Sequence, residues 1–202
     1  IGNRLAATSE LPNIKWTFTV LNSPVVNALA LPGGYVYVTR GLMALASSES
    51  ELAGVIAHEI GHVTARHAAQ RYSSSILAGG VSMAAGVFLG SSAGDIAKFA
   101  SNAAMKSYSR KQEFEADTLG VRYLARGNYN TNSMASFLRK LRAHSQLEAK
   151  RIKKNPANVD RSDMFATHPR TIDRVKRAIS DAQHSRSGVK TGTVDYMQIL
   201  HN

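Results

Sequence analysis

The 202-residue chain contains no cysteine. That absence excludes a disulfide framework, a cysteine-ligated zinc and a cysteine nucleophile together, although a thiol-free protein suits either redox compartment. Acidic residues are also few, 14 against 25 Lys and Arg, for a net charge of +11. Much of the excess lies in Arg139, Lys140, Arg142, Lys150, Arg151, Lys153 and Lys154, and between Arg170 and Lys190. No nucleic-acid module accompanies it, so nucleic acid is not expected as a partner. The basic residues read as a solvated helix face, with peripheral contact to an anionic membrane left open.

Long apolar runs are missing too. Residues 76–94 carry Gly86, Gly90 and Gly94 and fall short of the roughly twenty apolar residues a span needs. A buried helix, or two short ones, is expected there, and no transmembrane helix. The chain opens at Ile1 without a basic and then apolar leader, so a signal or lipid-anchor segment is expected to be absent from it. Hydrophobic content of 44% is that of a globular protein, and the length suits one substantial core. One domain over 1–202 is expected, with a core over about 14–182 and an unassigned tail at 183–202.

Residues 14–21 alternate through Trp16, Phe18 and Val20, which is strand chemistry. Turn signals at Asn22-Ser23-Pro24 and Pro32-Gly33-Gly34 separate two further strands, 25–30 and 35–38. A small antiparallel sheet near the N-terminus is expected. Helices follow: a short turn or two over 41–46, then Ser48 and Glu51 as a capping box opening a long helix to about 72. Residues 98–108 read as helical. A further helix over 109–126 stops at Gly127-Asn128, and another runs over about 131–153 through Met134, Phe137, Leu138 and Leu141. After a loop at 155–166, Pro169 opens the last helix through Ile172, Val175 and Ile179. The class is α+β, mainly helical.

Within the long helix stands His58-Glu59-Ile60-Gly61-His62, an H-E-x-x-H motif. Its histidines lie one turn apart on one face, where two imidazoles can grip one zinc ion while Glu59 works on a zinc-bound water. Catalytic zinc usually takes a third protein ligand. His67 follows His62 at a spacing of five; on a continuing helix it points away from His58 and reads as exposed. Glu113 is the better candidate, because Glu113 and Asp117 share a helix face at i, i+4. Glu113 can bind metal while Asp117 accepts the ring N–H of a ligating histidine. Glu115 should be solvated. The plain alternative pairs Glu113 and Asp117 with Arg110 or Arg122 on the surface; the H-E-x-x-H motif tips the balance to the metal.

Several motifs recur in a familiar order: Val25-Asn27-Ala28, Pro32-Gly33-Gly34, residues 37–42, Glu51 through His62, Ser109 through Asp117, and Thr167-His168-Pro169. Together, over roughly 20–180, they resemble the HtpX and CAAX prenyl protease family of zinc metallopeptidases, in its soluble bacterial envelope branch. The resemblance implies a zincin-like (gluzincin) fold with the H-E-x-x-H segment as its active-site helix. It implies one zinc ion on His58, His62 and Glu113, with Glu59 as general base and Asp117 behind the ligands. It further implies that His168 and Arg174 contact substrate or transition state, His168 in some members filling the open zinc position instead. Asn27 and Ala28 resemble the edge strand on which related enzymes hold an extended peptide. The implied activity is hydrolysis of peptide bonds in polypeptides, misfolded or envelope proteins among them, in the periplasm or at the outer membrane. A zinc-regulated chaperone or assembly factor with latent peptidase activity is the alternative. Branch members with a helical repeat domain and members with membrane spans both differ from this chain.

Overall fold

The computed structural model describes residues 1–71, 73, 107–151, 168 and 171–185. The expectations for 76–94, 98–106, 155–166, Pro169 and the tail beyond 185 lie outside the described residues. The elements run α1 (Gly2–Ala6), β1 (Thr17–Leu21), β2 (Ala28–Leu31), β3 (Tyr35–Thr39), α2 (Arg40–Leu45), α3 (Glu49–Thr64), α4 (Arg110–Arg126), α5 (Ser133–Arg151) and α6 (Thr171–His184). The described structure is mostly helical with a small mixed sheet.

α3 is the axis of this arrangement. Every residue from Ser50 to His62 is buried, and α1, α4, α5, β2 and β3 all pack against it. A helix covered on all sides needs small residues where neighbours come close, and Ala53, Gly54, Ala57 and Gly61 supply them. At Gly61 a Cβ would fall 2.9 Å from the Ala116 carbonyl oxygen and 3.1 Å from its Cα. At Gly120 of α4 it would fall 3.1 Å from the His58 backbone nitrogen. The two backbones therefore touch at two places, and at each of them one partner, Gly61 or Gly120, carries no side chain. Leu5, Leu42, Ile60, Tyr123, Leu124 and Phe137 close the apolar core around this contact.

The sheet departs from the expected antiparallel form. β3 is central: β1 pairs with it in parallel, Thr17 to Leu21 against Tyr35 to Thr39. β2 pairs with its other edge antiparallel, Ala28 to Leu31 against Val38 to Tyr35. Segment 22–27 therefore steps across the end of β3 instead of folding back as a hairpin. Pro24 has no donor for a ladder, and Thr39 fastens the crossing: Asn27 N–H donates to Thr39 Oγ1 at 3.0 Å, and Thr39 N–H to the Asn27 carbonyl at 3.0 Å. Alternation along a strand reports its faces, not its partner.

The long helix also breaks. α3 ends at Thr64, Arg66 takes a left-handed φ of 56°, and helix resumes over 67–71. Thr64 Oγ1 bonds back to the Gly61 carbonyl at 3.1 Å and lies 2.8 Å from Tyr123 Oη, which occupies the last turn with side-chain partners. Of the expected helix over 98–108, Ser107 and Tyr108 are described and are not helical. The helix over 109–126 forms with Ser109 as N-cap and a full capping box with Gln112. In α6, Val175 and Ile179 pack against the core, whereas Ile172 is exposed.

At the start of α3 the expected capping box forms by half. Ser48 accepts from Glu51 N–H at 3.2 Å, but the Glu51 carboxylate turns to Ser47 N–H (2.8 Å), Ser136 Oγ (2.6 Å) and Lys140 Nζ (2.6 Å) instead. It thereby ties the head of α3 to α5. Burial opposes its charge, but Lys140, Ser136 and Ser47 outweigh that and hold its pKa below the ordinary value. A depressed folded-state pKa contributes stability above the unfolded-state pKa, which is lost as pH falls through the folded value. Glu51→Gln is expected to lower unfolding free energy by about 1–3 kcal/mol at neutral pH. In urea titrations the gap between the two proteins should close as pH drops through the acidic range.

Candidate metal centre

His58 and His62 project from one face of α3 with Nε2 atoms 3.0 Å apart. The α3–α4 backbone contact brings Glu113 to them: Oε1 lies 3.4 Å from His62 Nε2, and Oε2 lies 3.6 Å from His58 Nε2. His168 adds Nδ1, 3.3 Å from His58 Nε2 and 3.0 Å from Glu113 Oε1. Among the described residues these four, all buried, form a group able to hold a metal ion. A tetrahedral ion bonded at about 2.1 Å sets its donors about 3.3–3.4 Å apart. The observed separations of 3.0–3.6 Å bracket that value. Two imidazoles and a carboxylate, with a third imidazole beside them, are ligands suited to zinc. The residues fit the ion.

Behind these four side chains stand their supports. Asp117 Oδ1 lies 2.9 Å from His58 Nδ1. Arg174, 1% exposed, donates Nε–H and Nη2–H to the two Asp117 oxygens at 2.8 Å each. Its Nη1 lies 2.7 Å from Glu113 Oε2. One guanidinium thus holds both carboxylates in place. His67 Nδ1 lies 2.9 Å from His62 Nδ1, and His67 Nε2 lies 3.4 Å from Glu115 Oε2. Tyr108 stacks on the His62 ring at 3.8 Å between centroids. Glu59 is fully buried, and neither carboxylate oxygen has a hydrogen-bond partner among the described residues; His168 Nε2 is 3.6 Å from its Oε1.

The electrostatics prepare this pocket for a cation. Burial opposes ionisation of Glu113, yet Arg174 and His168 outweigh it and hold the carboxyl well below its ordinary pKa. Asp117 is likewise lowered against its burial, chiefly by Arg174. Burial and the nearby His58 push His62 well below the usual imidazole value, despite Glu113. His168 goes the other way: burial lowers it, but Glu113 and Glu59 raise it further. Burial and the Glu59 charge push the Tyr108 hydroxyl up to about 12. At neutral pH, then, His62 is an uncharged imidazole and Glu113 a carboxylate, the forms that bind metal.

Each predicted residue can now be placed. His58, His62, Glu113 and His168 converge. Asp117 meets a ligand's ring nitrogen, and neither acid pairs with Arg110 or Arg122; Arg122 pairs with Glu10 instead. Glu115 is exposed as expected. His67 is not: it is fully buried, because the left-handed turn at Arg66 swings it back under His62. Tyr108 escaped sequence reasoning altogether, since it lies outside every motif. Ala28 opens β2 at the edge of the sheet and is buried, and Asn27 precedes the strand, with its Oδ1 buried without a hydrogen-bond partner among the described residues. A cavity of about 310 Å³ lies between the far end of β2 (Ala30, Leu31) and α3 (His62, Val63), with Tyr108 in its wall.

The profile of peptidase family M48 matches residues 1–181. The chain belongs to peptidase family M48. Relatives of this M48 chain include the beta-barrel assembly-enhancing protease of Yersinia pestis, 30% identical over 98% of this chain and 40% of that protein. The protein of the same name from Escherichia coli is 29% identical over 97% of this chain and 40% of its own length. Mitochondrial metalloendopeptidase OMA1 of Arabidopsis thaliana is 30% identical over 92% and 38% respectively. The M48 chain thus spans about two-fifths of the length of these curated relatives. Among its described residues no helix is long and apolar enough to cross a membrane.

Arg174→Met would leave the Glu113 and Asp117 charges buried without their shared partner. The metal-free protein is expected to lose about 3–5 kcal/mol of stability, read from denaturant unfolding. Saturating Zn2+ should recover part of that deficit if an ion bound in this group neutralises Glu113.

Proposed function

We propose that this chain is the catalytic part of a zinc-dependent endopeptidase with a zincin-like active site, built on the α3 motif. The observation that carries this reading is a fully buried Glu59 carboxylate, without a hydrogen-bond partner among the described residues and 3.6 Å from His168 Nε2, lying between two imidazoles that converge with Glu113. A purely structural metal site has no use for such a carboxylate beside an open position, and burying one without a hydrogen bond is costly. His58, His62 and Glu113 would hold the ion, which when bound supplies Lewis acidity and lowers the pKa of water.

The chain's own residues do the rest. Glu59 takes a proton from the attacking water and returns it to the leaving amine. Asp117 keeps His58 in the tautomer that presents Nε2, and Arg174 holds Asp117 and Glu113 in register. His168 Nε2, facing Glu59, donates to the developing oxyanion when its Nδ1 is not engaged at the ligand cluster. Arg174 serves that oxyanion through His168, whose carbonyl lies 3.5 Å from Nη1, because its other donors are taken by carboxylates. The outer edge of β2, which Asn27 precedes and Ala28 opens, offers backbone groups to an extended polypeptide. The cavity beside it takes an apolar side chain of that polypeptide.

The names of the bacterial relatives favour envelope proteins as substrates and the periplasm or outer membrane as the location; peripheral contact with an anionic membrane suits the chain's basic surface. One observation favours a second reading, in which activity is latent in a zinc-regulated assembly factor. His168 Nδ1 lies at the separation of a fourth ligand from both His58 Nε2 and Glu113 Oε1, and a ligand there occupies the position that solvent needs.

Glu59→Gln should bind zinc at wild-type stoichiometry and cleave casein about 10²–10⁴-fold more slowly, on the scale of losing a general base; cleavage by a clean preparation at close to the wild-type rate counts against the assignment. Glu113→Ala should lose bound zinc on elemental analysis. His168→Ala separates the two readings. Faster hydrolysis with zinc retained marks His168 as the latch, and slower hydrolysis marks it as the oxyanion donor.

A further inference from the structure

We propose that His67 is a positioning residue for the metal centre, relaying the exposed carboxylate of Glu115 to the buried ligand His62. The inference rests on the reading of His62 as a ligand. An imidazole that binds metal through Nε2 carries its proton on Nδ1. The atom facing His62 Nδ1 is His67 Nδ1, at 2.9 Å, and it must accept. His67 then carries its own proton on Nε2, which faces Glu115 Oε2 at 3.4 Å. Only one arrangement of protons satisfies both contacts: His62 Nδ1–H to His67 Nδ1, and His67 Nε2–H to Glu115.

The two histidine ligands are therefore supported differently. His58 meets a carboxylate directly, Asp117 Oδ1 at 2.9 Å, buried and clamped by Arg174. His62 meets a neutral ring, and the carboxylate behind that ring is about half exposed at 51%. A carboxylate behind a ligating imidazole fixes its tautomer and raises its basicity, and loss of such a partner typically weakens metal binding by about 10–100-fold. His67 does the same for His62 while screening the Glu115 charge from the ion. Its position depends on the left-handed residue Arg66, which turns the chain so that His67 lies beneath His62.

The test uses the full chain loaded with Zn2+ and labelled with 15N-histidine. Long-range 1H–15N spectra should show His62 protonated at Nδ1 and His67 at Nε2; His67 protonated at Nδ1 overturns the relay, and no variant is needed for this result. Zinc affinity is then measured by chelator competition. His67→Leu, which offers no acceptor, should bind Zn2+ about 10–100-fold more weakly. His67→Asn, whose side-chain oxygen can stand where Nδ1 stood, should recover most of that loss. The visible spectrum of the Co2+-substituted protein should shift in His67→Leu and return towards wild type in His67→Asn. Wild-type affinity in His67→Leu at full stoichiometry overturns the relay alone, as does an equal loss in both variants. Failure of the wild-type chain to take up Zn2+ at all overturns the ligand assignment with it.

Discussion

Everything at the centre follows from one close contact, the backbone of α3 against the backbone of α4 at Gly61 and Gly120. A side chain at either position would meet main-chain atoms 2.9–3.1 Å away, and main chain cannot yield as a flexible side chain can. At that spacing a glutamate two turns before Gly120 in α4 reaches two histidines in α3. The same contact excludes water, so the carboxylates it brings together must be neutralised from within. Arg174 does so from one side. A divalent ion suits the other side, where donor atoms face one another at separations of 3.0–3.6 Å.

That distribution of charge explains why α6 belongs to the site although the motifs of α3 and α4 could suggest a two-helix centre. Glu113 and Asp117 stack one turn apart, and one guanidinium spans both. Arg174 is among the largest side chains in the molecule that are fully buried. Such burial is costly unless the donors are used, and here they are. Arg174 acts as a strut between the element that contributes carboxylates and the segment that contributes His168.

How much of this was legible in the sequence depended on how local the geometry is. His58, Glu59 and His62 are fixed to one another by helical pitch alone, and so are Glu113 and Asp117. Spacing therefore placed them correctly before any tertiary information. The sheet was misjudged because pairing is non-local: the strand-like character of 17–21 and 28–31 says nothing of β3 lying between them. His67 was misjudged for a different reason. Extrapolating five residues along a helix assumes that the helix continues, and an arginine in a left-handed conformation gives no warning of its own, since glycine or asparagine is the usual occupant. Glu51 shows a third kind of failure. The capping-box pattern was present, yet a lysine and a serine on a distant helix won its carboxylate, because three donors stabilise a buried charge better than one backbone N–H.

One of the places where local rules failed lies beside the candidate metal centre. The left-handed residue Arg66 carries a cost of roughly 1–2 kcal/mol for a non-glycine residue, and what it accomplishes is to return His67 to the underside of His62. A continuous helix would have pointed that ring away from the centre and left His62 Nδ1 facing the wall of the site. A buried imidazole nitrogen with a proton and no acceptor is destabilised by about 1–3 kcal/mol, comparable to the cost of the turn. The break in the helix and the buried histidine are thus one feature: the strained turn supplies a partner to a polar group that would otherwise be stranded, and it does so at the imidazole whose Nδ1 faces no carboxylate.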